Sequence, residues 1–105
     1  MHFIETSVFT KLVRAFLDDD EYHTFQLALI LRPDLGPVMR GSGGLRKVRW
    51  AVAGRGKRGG LRIIYYWDPA STSFYCLYLY PKNEQEDLTP AQLRALRSIV
   101  EEEFG

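Results

Sequence analysis

Hydrophobic and polar positions along the chain change period several times, and each change predicts an element. His2 to Glu5 alternates over a short span and reads as a first strand, closed by Thr6 and Ser7, two residues that cap helices. Beyond them Val8, Phe9, Leu12, Val13, Phe16 and Leu17 recur every three or four residues, which predicts an amphipathic helix with Lys11 and Arg14 facing water. The acidic run Asp18 to Glu21 suits the first turn of a second helix, because acids interact favourably with its positive end. That helix carries Tyr22, Phe25 and Leu29 and stops near Arg32, since Pro33 disfavours helical geometry at the residue before it.

After a glycine- and proline-rich connector from Asp34 to Gly44 the period drops to two. Leu45 to Val52 predicts a strand whose Val48 and Trp50 meet the helices while Lys47 and Arg49 point away from the core. Ala53 to Gly60 reads as a turn. Leu61 to Trp67 follows as a strand in which Leu61, Ile63, Tyr65 and Trp67 face the core and Arg62 joins Lys47 on the outward side. Asp68 and Pro69 turn the chain into a third sheet strand, Phe74 to Tyr80. Alternation sets its Tyr75, Leu77 and Leu79 against Cys76, Tyr78 and Tyr80. Lys82 to Leu88 is a polar loop. Thr89, Pro90 and Gln92 then spell an N-cap, a first helical position and a capping box ahead of Leu93, Leu96, Ile99, Val100 and Phe104. The resulting expectation is an α+β fold, a small antiparallel β-meander sheet packed by helices in the order β-α-α-β-β-β-α. With 105 residues, no repeat and no long linker, residues 1–105 are expected to form a single domain.

Charge alters this picture more than composition does. The net charge of +1 conceals a segment from Leu35 to Trp67 without one Asp or Glu. Eight of the fourteen cations lie there, at Arg40, Arg46, Lys47, Arg49, Arg55, Lys57, Arg58 and Arg62, so the rest of the chain is net acidic. Such segregation points to a polyanionic partner. Gly54, Gly56 and Gly59 match GxGxxG, but a strand follows where a dinucleotide fold needs a helix, and Arg58 stands where a Walker loop needs Ser or Thr. What remains is a cationic hairpin tip suited to phosphate contact, with a solubilising loop as the plainer reading.

His2 and His23 are far apart and the lone Cys76 lacks a partner at ligand spacing, so no metal site and no cofactor is expected. The single cysteine fits a reducing compartment, and no apolar run approaches a membrane span, so a cytoplasmic protein is expected. Tyrosines belong in sheets for packing, yet Tyr66, Tyr78 and Tyr80 on the cationic face also offer surfaces for stacking on bases.

The element order and the stretches GGLRKVRW, GKRGGLRIIYYW and YLYPKNEQEDLT resemble the RelE/HigB toxin superfamily, most closely its HigB-like branch. The resemblance implies the toxin of a type II toxin–antitoxin pair. Such a toxin is a ribosome-dependent endoribonuclease that cuts mRNA in the ribosomal A site, inhibits translation, and is silenced by a cognate helix-turn-helix antitoxin, HigA-like in that branch. It also implies roles for residues. Lys47 and Arg49 match the family's cationic strand positions, Arg62 its arginine after the glycine of the next strand, and Lys82 its basic residue after the last strand. Arg62 is then assigned to the scissile phosphate, and Lys47 or Lys82 to proton transfer. Arg46, Arg49, Arg55, Lys57 and Arg58, with Tyr66 and Tyr78, are assigned to holding RNA. Where RelE carries a tyrosine a few residues further on, this chain has Glu86, Asp87 and Leu88, which leaves Tyr80 as the substitute. The alternative is a non-catalytic nucleic-acid-binding domain using the same cationic sheet, favoured by the lack of a histidine base.

Overall fold

The computed structural model describes residues 1–52 and 60–104. In chain order the elements are β1 (His2–Glu5), α1 (Ser7–Phe16), α2 (Asp19–Leu31), β2 (Arg46–Trp50), β3 (Leu61–Asp68), β4 (Ser73–Pro81) and α3 (Pro90–Phe104). The order is the expected one. Strands β2, β3 and β4 form the antiparallel meander, and β1 joins it parallel to β4, giving a four-stranded sheet ordered β1-β4-β3-β2.

Capping chemistry starts each helix. Thr6 Oγ1 accepts the Phe9 N–H at 3.0 Å and donates to the Leu77 carbonyl at 2.9 Å, so one hydroxyl both starts α1 and fastens it to β4. Asp18 and Glu21 complete a reciprocal capping box on α2, and Thr89 and Gln92 do the same for α3. The acidic run is thus a helix start.

The sheet is buried on both faces. On one, α1 and α2 deliver Phe9, Val13, Leu17, Phe25 and Leu29 against Val48, Leu61, Ile63, Tyr65, Phe74, Cys76 and Leu79. On the other, Leu96 and Val100 of α3 cover Leu45, Ile64, Leu77 and Tyr80. This explains why Leu61 to Tyr65 are buried without alternation. Val8, placed by periodicity with the packed residues of α1, is 52% exposed at the first turn.

Simple alternation fails in β4. Ile64 pairs with Tyr78 but the next residue, Tyr65, pairs with Cys76, so Leu77 is an extra residue. A bulge of this kind switches which side chains face which layer. Cys76 and Leu79 therefore share the α1/α2 face, while Tyr75, Leu77, Tyr78 and Tyr80 belong to the α3 face. The expected groupings, Tyr75 with Leu77 and Leu79, and Cys76 with Tyr78 and Tyr80, are corrected accordingly.

Two anchors fix the connector before β2. The buried Tyr65 hydroxyl accepts the Gly36 N–H at 3.0 Å and donates to the Pro33 carbonyl at 2.8 Å. Arg46 Nη1 donates to the Gly36 carbonyl at 2.8 Å. At the other end of β2, Gly60 has φ +69° and its missing Cβ would lie 2.4 Å from the Trp50 carbonyl oxygen, so only glycine fits where β3 begins.

Candidate functional site on the sheet face beneath the last loop

Strand pairing brings the predicted residues together in two lines across the sheet. Arg49 pairs with Arg62, and Arg62 with Tyr80, so these three lie side by side across β2, β3 and β4. Two residues along, Lys47 pairs with Ile64, and Ile64 with Tyr78. Directly paired residues share a face with Cβ atoms about 5 Å apart, so all six are on the α3 side. Two arginines placed opposite each other repel, and an anion between them removes the penalty.

Arg62 departs from the outward-facing position expected of it. It is 5% exposed, and Nη1 donates a long 3.4 Å bond to the Leu61 carbonyl. Alternation gave the face correctly, but α3 and the loop before it close over that face. Arg49 remains exposed on β2, the edge strand. Tyr80 is 2% exposed, too enclosed to act as a stacking platform, and its hydroxyl meets no partner at hydrogen-bonding geometry among the described residues. Burial, reinforced by the nearby Asp87 carboxylate and opposed by Arg62, pushes its pKa up to about 12. It is therefore a neutral phenol at any physiological pH.

The loop between β4 and α3 adds a residue that strand patterns missed. Asp87 Oδ1 lies 3.3 Å from Lys47 Nζ and accepts the Leu88 N–H at 2.9 Å. The Leu88 amide, then Lys47, holds this carboxyl below the usual aspartate range. Met39, Arg40, Lys47, Asp87, Leu88 and Leu93 enclose a recess of about 240 Å³ beside the pair. The signal in the sequence was that Glu86, Asp87 and Leu88 stand where the resembling family carries a tyrosine.

Other expected residues are placed as follows. Lys82 is exposed, and its N–H donates to the Gly60 carbonyl at 3.1 Å, which extends the β3–β4 ladder past Tyr80. Tyr78 is half-buried and its hydroxyl accepts from Gln92 Nε2 at 3.3 Å. Tyr66 packs in the α3 layer four residues along β3 from Arg62, away from the arginine line. Arg46 pairs with Tyr65, off the arginine-bearing face, and serves the connector. Arg55, Lys57 and Arg58 lie outside the described residues. Among the described residues no group of three or more His, Cys, Asp or Glu could hold a metal ion, and no helix is long and apolar enough to cross a membrane. Cys76 is buried, and burial, with the Glu5 charge, pushes its thiol up to about 12.

Two comparisons bear on this arrangement. The free-state structure of an arginine-to-alanine double mutant of the E. coli toxin RelE superposes with a TM-score of 0.60, covering 93% of this chain and 94% of that one at 11% identity, a likeness of fold. The sequence model of the RelE toxin of the RelE/RelB toxin–antitoxin system matches residues 35–104, which span the cationic meander, the Asp87 loop and α3. On that match, the chain belongs to the RelE toxin family.

Proposed function

We propose that this chain is a ribosome-dependent endoribonuclease, the HigB-like toxin of a type II pair, folded as one domain and acting in the cytoplasm on mRNA in the ribosomal A site. The observation that carries the reading is the line Arg49–Arg62–Tyr80 with Lys47 beside it on one sheet face. RNA cleavage without an external nucleophile needs the ribose 2′-hydroxyl to attack the adjacent phosphorus. The O–P bond to the 5′ oxygen then breaks, leaving a 2′,3′-cyclic phosphate and a 5′-hydroxyl. One proton leaves the 2′ oxygen and one reaches the 5′ oxygen.

The residues divide that work. Arg62, a planar guanidinium held out of water, is preorganised to stabilise the charge that grows on the phosphorane. Arg49 grips a neighbouring phosphate from the open edge. Tyr80 stays protonated to about pH 12 and so donates a hydrogen bond rather than taking a proton. Lys47 and Lys82 are the proton carriers. Arg55, Lys57 and Arg58 hold mRNA or ribosomal RNA through their charge. The partner that silences the toxin is a HigA-like helix-turn-helix antitoxin covering the cationic face.

The test is to add the purified chain to translating ribosomes and map mRNA ends. New ends within A-site codons, with little cutting of naked RNA, are expected. Protected but intact message would instead establish the non-catalytic binding domain.

A further inference from the structure

We propose that Asp87 is a positioning residue of the RNA-cleaving site: its carboxylate docks the Lys47 ammonium at the edge of the Arg62–Tyr80 line, doing from the last loop what no strand residue does. The proposal rests on the endoribonuclease reading above and extends it to a residue of opposite charge.

Three observations support it. Lys47 and Asp87 are forty residues apart in sequence, yet Nζ and Oδ1 meet at 3.3 Å, with the lysine side chain mostly buried and the aspartate side mostly open. The carboxylate is not a loose surface group, because the same Oδ1 accepts the Leu88 amide at 2.9 Å. The loop behind it is tied down as well. Gln85 Nε2 donates to the Asp87 carbonyl at 2.8 Å and to Gln92 Oε1 at 2.9 Å, while Gln92 also takes part in the α3 cap and reaches the Tyr78 hydroxyl. A chain of side-chain bonds thus runs from β4 through α3 to the loop that carries Asp87.

The need for such a group follows from charge. Arg40 lines the same recess as Lys47, and the Arg49–Arg62 pair lies two residues along the strand on the same face. A flexible ammonium on a face that carries other cations is driven outward into solvent. One fixed carboxylate offers it a defined position against the sheet, and orientation to within an ångström decides the rate of proton transfer. A carboxylate beside an RNA site repels phosphate, so Asp87 lowers binding slightly while it raises turnover.

The test combines kinetics with a measurement that needs no catalysis. In single-turnover cleavage on saturating programmed ribosomes, Asp87→Asn is expected to lower the rate by roughly tenfold to a hundredfold, with ribosome affinity unchanged or tighter. Asp87→Glu should recover part of the loss. In the Lys47→Met background Asp87→Asn should cost nothing more, because the two residues act as one unit. Full activity in Asp87→Asn, or losses that multiply with those of Lys47→Met, would overturn the proposal. In parallel, NMR of ¹³C-lysine protein should show the Lys47 side-chain signals shifting in Asp87→Asn. Unmoved signals would equally overturn it. Should the wild-type chain cut nothing on ribosomes, the endoribonuclease reading falls and the positioning role falls with it, while the NMR arm still reports whether the Asp87 contacts exist.

Discussion

Replacing Arg62 by alanine perturbs stability and chemistry by separable amounts. Truncation leaves Cβ and removes two buried methylene groups, worth about 0.8 kcal/mol each. It also relieves the direct opposition to Arg49, worth about 0.5 kcal/mol in the other direction. Losing the long bond to the Leu61 carbonyl costs about 0.5 kcal/mol more, so the net destabilisation is about 1.5 kcal/mol, which lowers the melting temperature of a domain this size by roughly 8 °C. The expected catalytic loss is larger. A preorganised donor that acts on the transition state contributes on the order of 3 kcal/mol, or about a hundredfold in rate. Arg62→Lys keeps the charge and most of the stem but loses the planar fork, so it should fold like wild type and still cleave slowly. The assay is single-turnover cleavage on saturating ribosomes, well below the melting temperature of each variant, alongside thermal denaturation. A rate for Arg62→Ala within threefold of wild type would refute the assignment to the scissile phosphate. A melting temperature lowered by 20 °C would refute the stability calculation.

Gly60→Ala should cost at least about 2 kcal/mol in urea denaturation, since alanine there is both left-handed and in collision with the Trp50 carbonyl. Gly41→Ala has a similar φ of +69° with open space around it and should cost only about 1 kcal/mol, so equal losses would show that the collision relaxes freely. Cys76 should resist alkylation in the native state between pH 7 and 9, because its thiol is enclosed and ionises only near pH 12. Raising the pH across that range should speed labelling of urea-unfolded protein but not of folded protein, as measured by mass spectrometry.

The capped helices and the β2–β3 alternation were legible in the sequence because each depends on neighbours a few residues apart. The helix start at Asp18 to Glu21, the capping box at Thr89 and the common face of Lys47, Arg49 and Arg62 are of this kind. The β4 faces were not legible, because one inserted residue at Leu77 exchanges the sides without leaving a mark in composition. The burial of Arg62 and Tyr80 escaped for a different reason. Strand alternation assigns a face, but whether that face is open depends on where α3 and its preceding loop come to rest. Asp87 was hidden by the same distance, since nothing local in Glu86–Asp87–Leu88 names Lys47 as its partner.

The position of β1 sets an order of events during synthesis. Its strand is made first, yet among the described residues it pairs only with β4, and Thr6 waits for the Leu77 carbonyl, 71 residues further along the chain. No nearer strand substitutes, because β2 and β3 are separated from β1 by β4. A growing chain therefore carries an unpaired edge and an α1 without its β4 support until β4 has left the ribosomal tunnel. The arginine line closes in the same interval, since Tyr80 is its last member. A nascent chain thus remains without an assembled site until most of it has been made, and an interaction that captures the free β1–α1 segment in that interval would prevent assembly rather than inhibit a finished toxin.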